Sequence, residues 1–202
     1  MKPRLVVMLK EPRAGKVKTR LGRDIGMTDA AWWFRHQTAG LLRRLQDRRW
    51  DVMLAVSPDR DGMRSRVWPA HLPRLPQGRG DLGNRMKNAF RQAGPGPVCI
   101  IGGDIPGIDR PHIAHAFKLL WGAGSVIGPA PDGGFWLIGL LRTRLLPPTL
   151  FQGVRWSSEH ALSDTVASMK GLTPAFAATL RDIDTVDDLL MTSSGARDTS
   201  AL

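Results

Sequence analysis

The four residues from Val98 to Ile101 are all apolar, and Gly102, Gly103 and Asp104 follow them directly, with Pro106 two residues further on. A continuously apolar strand is buried on both faces, which is typical of a parallel sheet covered by helices. Asp104 is therefore expected at the carboxyl end of a central strand, where open α/β sheets bind ligands. A hard cation that bridges phosphates needs an oxygen ligand at such a place. The alternative interpretation is an aspartate that only caps a helix or a turn.

Apolar strand-like segments alternate with helix-like segments along the rest of the chain. Strands are predicted at 5–9, 52–56, 98–101, from 126 and at 135–140, the last broken by Gly139. Helices are predicted from Thr28 or Asp29 to about 46, from Asp81 to 93, from Asp109, from Ser157 or Ser158 to about 169, and from Thr185. Residues 10–22 are predicted to be a loop, and residues 58–77, with four prolines, an irregular segment. The alternation predicts a three-layer α/β/α fold with a mostly parallel central sheet. We expect residues 1–191 to form a single domain and 192–202 to be a disordered tail.

The charge of the chain is unevenly distributed. Residues 1–91 carry 21 Lys and Arg against 8 Asp and Glu, whereas residues 92–202 carry 8 against 10. A basic half indicates a phosphate-bearing partner, although a solvated helix face would also explain many of the arginines. The single cysteine, Cys99, cannot form an internal disulfide and is predicted to be a buried core residue. Because the apolar run at 5–9 is too short for a signal peptide or a membrane span, we expect a cytoplasmic protein.

The basic loop after the first predicted strand, residues 10–21, is a candidate phosphate site. It contains Lys10, Lys18 and Arg20 together with one glycine, Gly15, and such a loop suits a di- or triphosphate. It has neither the spacing of a Walker loop nor the glycines of a dinucleotide fingerprint. The alternative is a solvated basic loop.

Three further segments carry candidate site residues, and each has a plainer interpretation. The glycine-rich segment 77–86 could present backbone N–H groups to an anion or a sugar hydroxyl, or be a turn with a helix cap. In segment 128–140, Asp132 could accept bonds from a sugar beside Gly133 and Gly134, or only form a hairpin turn. In segment 181–190, Asp184 could join Asp104 in a cation site, or cap a helix. The residues of the first segment with a predicted binding role are Gln77, Gly80, Asp81, Leu82, Gly83 and Arg85.

Taken in order, these segments resemble one family. The motifs are K-x-P-x-x-G-x-V-K-T-R-L at 10–21, Q-G-x-G-D-L-G-x-R-M at 77–86, I-G-G-D-x-P at 101–106, G-P-A-x-D-G-G-F-W-L-I-G-L at 128–140, V-x-W-S-S at 154–158 and D-I-D-T-x-x-D-L at 182–189. This set resembles the DUF2064 family of small GT-A-type proteins, which is linked to glycosyl transfer and to radical-SAM or arsenosugar gene clusters. The resemblance extends from about residue 5 to residue 190, and more distantly to guanylyl- and cytidylyltransferases.

The resemblance implies a nucleotide-diphospho-sugar transferase fold, a nucleotide-sugar donor and Mg²⁺ or Mn²⁺. By position, Asp104 resembles the metal-binding aspartate, Asp184 a late metal ligand, and Lys18 and Arg20 phosphate-contacting residues. The family often has a hydroxyl residue where this chain has Gly103 and a larger residue at 107, which is also glycine here.

The first functional interpretation is a metal-dependent glycosyltransferase with a small-molecule acceptor, in which Asp104 and Asp132 are catalytic. The second is a nucleotidylyltransferase, in which a phosphorylated acceptor attacks a nucleoside triphosphate. The single glycine of the first loop favours the glycosyltransferase. A basic nucleic-acid-binding protein is a minor alternative, since no base-stacking or groove-reading motif is visible. The sequence predicts neither the nucleotide, sugar and acceptor nor the oligomeric state.

Overall fold

In the computed structural model, which describes residues 1–143 and 145–181, seven strands form one sheet. In chain order they are β1 (Arg4–Lys10), β2 (Asp51–Ser57), β3 (Arg74–Pro76), β4 (Gly96–Gly102), β5 (Ser125–Pro129), β6 (Phe135–Arg142) and β7 (Ala175–Phe176). The helices are α1 (Thr19–Ile25), α2 (Met27–Arg44), α3 (Asp59–Arg64), α4 (Leu82–Ala93), α5 (Arg110–Ala123) and α6 (Ala161–Ser168).

The sheet is mostly parallel, with strand order β3-β2-β1-β4-β6-β5-β7. Strand β1 pairs in parallel with both β2 and β4, so the carboxyl ends of these three strands share one edge. Strand β6 is antiparallel to β4 and β5, and Leu137 near its beginning lies opposite Ile101 near the end of β4. The start of β6 therefore reaches the same edge as Asp104.

Helices cover both faces of the sheet because alternate strand residues point to opposite sides. In β1, Leu5 and Val7 belong to a buried cluster that includes residues of α2 and α5, while Val6 belongs to a second cluster with residues of α4. Cys99 is fully buried, and burial raises the pKa of its thiol. The predicted three-layer α/β fold and the buried cysteine are confirmed.

Two helices begin after the N-cap aspartates that the sequence predicts. Asp81 caps α4 by accepting a 2.8 Å hydrogen bond from the backbone N–H of Asn84. Asp109 caps α5 in the same way, at 3.0 Å from the backbone nitrogen of His112. An N-cap of this kind contributes about 1 kcal/mol to stability.

Several sequence-based boundaries were wrong, and the structure shows why. Helix α1 begins inside the predicted loop, and Lys18 at its N-cap has a left-handed φ of 46° and makes no side-chain capping bond. The predicted irregular segment contains α3 and the edge strand β3, where the sheet tolerates Pro76. Helix α6 begins at Ala161 rather than at 157 or 158.

The predicted break at Gly139 is absent, and β6 continues to Arg142. A Cβ atom built on Gly139 would lie 2.7 Å from both Cys99 Sγ and Val126 Cγ1, so the glycine allows close packing without ending the strand. The predicted helix at Thr185, Asp184, the tail at 192–202 and the end of the domain at 191 lie outside the described residues.

Candidate functional site

A cleft of about 710 Å³ opens at the carboxyl edge of β1 and β4. It is bordered by the loop after β1, the start of α4, the start of β6 and the segment 156–161. The predicted site residues that line it are Lys10, Lys18, Arg20, Gln77, Gly80, Asp81, Leu82, Arg85, Asp104, Asp132 and Gly134. Gly15, Gly83 and Gly133 do not line it.

Lys18 and Asp104 meet inside this cleft, although 86 residues separate them in the chain. The Nζ atom of Lys18 lies 3.1 Å from Oδ2 of Asp104. The Lys18 side chain is 5% exposed and that of Asp104 is 37% exposed, so the ammonium is buried while the carboxylate still faces the cleft. A non-glycine residue in the left-handed region costs about 1–2 kcal/mol. Lys18 is therefore held in a strained conformation at a point where its charge meets the carboxylate.

The glycines before Asp104 bring the loop close to β1. A Cβ atom built on Gly103 would overlap Cδ2 of Leu9 and lie 3.4 Å from the Met8 carbonyl oxygen. The Gly103 carbonyl accepts a hydrogen bond of 3.4 Å from Thr38 Oγ1. At Gly107, by contrast, an added Cβ would meet nothing within 4 Å. Packing thus explains glycine at 103 but not at 107.

The end of β1, the loop after it and the start of α1 supply the cationic wall of the cleft, formed by Lys10, Lys16, Lys18 and Arg20. Gly15 lies at the exposed turn of this loop with a φ of 71°, and an added Cβ would have open space. Arg13 forms a 3.1 Å ion pair with Asp61 of α3. The positive charges of this wall are those that a diphosphate would need.

The glycine-rich segment before α4 has a clear structural role at the cleft floor. The buried Gln77 donates from Nε2 to the carbonyl oxygens of Leu9 (3.1 Å) and Ala55 (2.8 Å), which ties the ends of β1 and β2 together. Gly80 has a φ of 99°, and its carbonyl accepts a 3.1 Å bond from Nε of Arg85. These bonds fix the direction of the segment, whose residues 80–82 then face the cleft.

Asp132 lies in the turn between β5 and β6. Its Oδ1 accepts a 2.9 Å bond from the Gly134 N–H, and the Ala130 N–H donates to the Gly134 carbonyl at 3.0 Å. Gly133 has a φ of 82°, and an added Cβ would overlap the backbone of Glu159. The hairpin interpretation of this segment is thus correct, and the exposed Asp132 carboxylate also lines the cleft.

The aromatic part of the cleft was missed in the residue-level reading of the sequence. Phe135 and Trp156 line the cleft with a ring-centroid distance of 6.3 Å. The loop carrying Trp156 is fixed by Arg155, whose Nε and Nη2 atoms each lie 2.9 Å from an Asp164 oxygen. These hydrogen bonds, with one from the Arg155 backbone, lower the pKa of Asp164 to about 2. The V-x-W-S-S motif was the available signal, but apolar spacing alone could not place Trp156 in the cleft.

Residues 41–158 match a protein family described as "Uncharacterized protein conserved in bacteria (DUF2064)". The chain belongs to the DUF2064 family. The structure of a candidate nucleotide-diphospho-sugar transferase from Desulfovibrio desulfuricans G20 is similar to this DUF2064 protein, with 31% identity, a TM-score of 0.87 and coverage of 99% of this chain and 90% of the other.

Two more distant structures share the fold. Rv0371c of Mycobacterium tuberculosis H37Rv, crystallised in complex with manganese, has 15% identity and a TM-score of 0.59 over 95% of this chain and 97% of its own. A CMP:2-keto-3-deoxy-manno-octonic acid synthetase complexed with CTP has 10% identity and a TM-score of 0.58 over 98% and 99%. Among curated proteins, none matches the chain. The predictions of the family, the fold and the transferase class are confirmed.

The described residues of this DUF2064 protein contain no group of three or more His, Cys, Asp or Glu side chains that could hold a metal ion. Asp104 nevertheless suits Mg²⁺ or Mn²⁺, because Mg²⁺ often binds through one or two carboxylates and completes its shell with water and substrate phosphates. The predicted second ligand, Asp184, lies outside the described residues. In that same described part of the chain, no helix is long and apolar enough to cross a membrane.

Proposed function

We propose that this DUF2064 protein is a metal-dependent glycosyltransferase that uses a nucleotide-diphosphate sugar and a small-molecule acceptor. The observation that carries the proposal is the meeting of Lys18 and Asp104, at 3.1 Å, in a cleft with one cationic wall. The similar protein from Desulfovibrio desulfuricans G20, described as a candidate nucleotide-diphospho-sugar transferase, supports the same assignment.

The cationic wall and Asp104 have complementary roles in this proposal. Asp104 would hold Mg²⁺ or Mn²⁺, with Asp184 as a further proposed ligand, and the bound ion supplies positive charge to the diphosphate. Lys10, Lys18 and Arg20 bind the same diphosphate and stabilise the negative charge that develops on it as it leaves. The manganese complex of Rv0371c is a property of that protein, but it makes Mn²⁺ a reasonable ion to test here.

Asp132 is the proposed base or sugar-orienting residue. Its Oδ1 is held by the Gly134 N–H, which fixes the carboxylate at the mouth of the cleft. An acceptor hydroxyl attacks the anomeric carbon of the donor sugar, its proton passes to Asp132, and the bond from that carbon to the diphosphate oxygen breaks. The electron pair of that bond leaves with the nucleoside diphosphate, so charge is balanced.

A nucleotidylyltransferase is the second candidate, because the same cation-lined edge would bind a triphosphate. The loop contains a single glycine, Gly15, and lacks the run of glycines with which triphosphate-binding loops present their backbone N–H groups. This observation favours the diphosphate donor.

The products separate the two candidates. Purified protein is incubated with Mn²⁺ and either a set of nucleotide sugars with mixed alcohol acceptors or a set of nucleoside triphosphates with sugar phosphates. We expect release of a nucleoside diphosphate in the first reaction, lost in Asp104→Asn and retained in Asp109→Asn, which keeps the α5 cap. Pyrophosphate release in the second reaction alone would instead establish the nucleotidylyltransferase.

A further inference from the structure

The cleft has two chemically different walls. Its lysines and Arg20 belong to the segment from the end of β1 to the start of α1, whereas Phe135 lies at the start of β6 and contacts Trp156. Because β1 and β6 flank β4 on opposite sides in the sheet, the two walls lie on opposite sides of Asp104. A ligand in the cleft would therefore meet cations at one end and aromatic rings at the other.

The aromatic wall is a packed cluster of rings. The Trp156 ring lies 6.3 Å from that of Phe135 and 5.9 Å from that of Phe151. Gly83 in the first turn of α4 makes room for it, because an added Cβ would lie 2.9 Å from Trp156 Cζ2. Leu82, beside this glycine, is 45% exposed and lines the cleft.

Two unfavourable features are concentrated at this wall. Ser157 has a φ of 59°, which a non-glycine residue rarely adopts. The Trp156 indole N–H is buried and has no hydrogen-bond partner among the described residues, a group that phenylalanine would not carry. Strain and an unsatisfied polar group at one place, next to a cleft, indicate a functional rather than a purely structural role.

We infer that the acceptor is an uncharged, hydroxyl-bearing molecule whose flat or apolar ring face packs against Trp156 and Phe135. This inference rests on the proposed glycosyltransferase function and deepens it. Among the described residues that line the cleft and follow Gln77 in the chain, Arg85 is the one cation. Its Nε already donates to the Gly80 carbonyl. A phosphorylated acceptor would need further cations at that end, whereas a sugar or aromatic ring gains most from an aromatic face.

Saturation-transfer NMR with two probes tests this inference. Phenyl β-D-glucopyranoside is the neutral ring-bearing probe and D-glucose 1-phosphate is the charged one. Because glucose 1-phosphate would also bind the cationic wall, both probes are measured in excess inorganic pyrophosphate, which occupies that wall. Under these conditions we expect the neutral probe to bind the wild type more tightly than the phosphate. The variant W156A should weaken binding of the neutral probe at least about fivefold, as the loss of an aromatic contact does. The variant W156F should weaken it less than W156A does, because it keeps an aromatic ring of smaller area.

The control is W121A, since Trp121 is 53% exposed on α5 and does not line the cleft. It should bind the neutral probe as the wild type does.

If circular dichroism shows that W156A does not fold, the variant F135L removes the other ring and should show the same weakening. Unchanged binding in the ring-deleting variant, tighter binding of glucose 1-phosphate, or no binding of the neutral probe at millimolar concentration would each overturn the inference. A wild type that binds no nucleotide but keeps ring binding dependent on Trp156 would refute only the proposed glycosyltransferase.

Discussion

Gly103 and Leu9 are packed so closely that their substitutions should be strongly coupled. A Cβ on Gly103 would overlap Cδ2 of Leu9, which is 1% exposed and has little space into which to move. Gly103 does not have a positive φ, so the obstacle to alanine is packing alone. Overpacking a core costs about 1–3 kcal/mol, and the lower backbone entropy of unfolded alanine returns about 0.4–1 kcal/mol. We therefore expect Gly103→Ala to lower the free energy of unfolding by about 1–2 kcal/mol.

Shortening Leu9 should remove or reverse the effect of Gly103→Ala on the free energy of unfolding. Leu9→Ala alone should cost about 2–5 kcal/mol through the cavity it creates. In that background the nearest remaining atom to the new Cβ at 103 is the Met8 carbonyl oxygen, at 3.4 Å, which is a tight but tolerable contact. Gly103→Ala should then be neutral or stabilising, which gives a coupling of about 1–3 kcal/mol in the double-mutant cycle. Urea denaturation of the four proteins measures it, and an equal loss at 103 in both backgrounds would refute the packing argument.

Three further outcomes are expected. Asp109→Ala should lower the stability of the fold by about 1 kcal/mol, while Asp109→Asn should be nearly silent, as melting curves would show; equal losses would exclude the capping role. The pKa of Asp164 is lowered to about 2 from the usual 3.8 by its hydrogen bonds to Arg155, so its stabilising effect is complete above pH 3.8 and is lost as pH falls through about 2. Asp164→Asn should lack that part of the acid dependence in pH-resolved denaturation, and identical profiles would contradict it. Limited proteolysis should cut the loop at 10–20 less in the presence of nucleotide and Mn²⁺ than in their absence, and equal cutting would exclude closure of the loop over the diphosphate.

Long, apolar and well-capped elements could be predicted from the sequence. Strand β4 was recognisable because it is continuously apolar, and α4 and α5 because Asp81 and Asp109 are standard N-cap residues. Helix α1 was missed because its N-cap is Lys18, a residue type that gives no capping signal and rarely adopts the left-handed conformation it has here. The edge strand β3 has three residues and contains a proline, so no local pattern marks it.

The cleft could be predicted only in part from the sequence. Placing Asp104 and the loop after β1 at one sheet edge needed only the rule that parallel strand ends meet there. The 3.1 Å contact with Lys18 could not be predicted from spacing, because it depends on how the chain turns into α1. The aromatic wall depends on contacts between Phe135, Phe151 and Trp156, which come from β6 and from the segment before α6. Sequence periodicity carries no information on such contacts between distant segments.

Calorimetric titration of ADP, CDP, GDP and UDP with and without Mn²⁺ tests the central claim, that Asp104 couples a divalent cation to nucleotide binding. We predict that at least one of these nucleotides binds the wild type in a Mn²⁺-dependent manner. In Asp104→Asn its affinity in the presence of Mn²⁺ should fall at least tenfold, which is about 1.4 kcal/mol, while Asp109→Asn should bind like the wild type. Equal affinity for wild type and Asp104→Asn, or binding that is as tight without Mn²⁺ as with it, would contradict the claim.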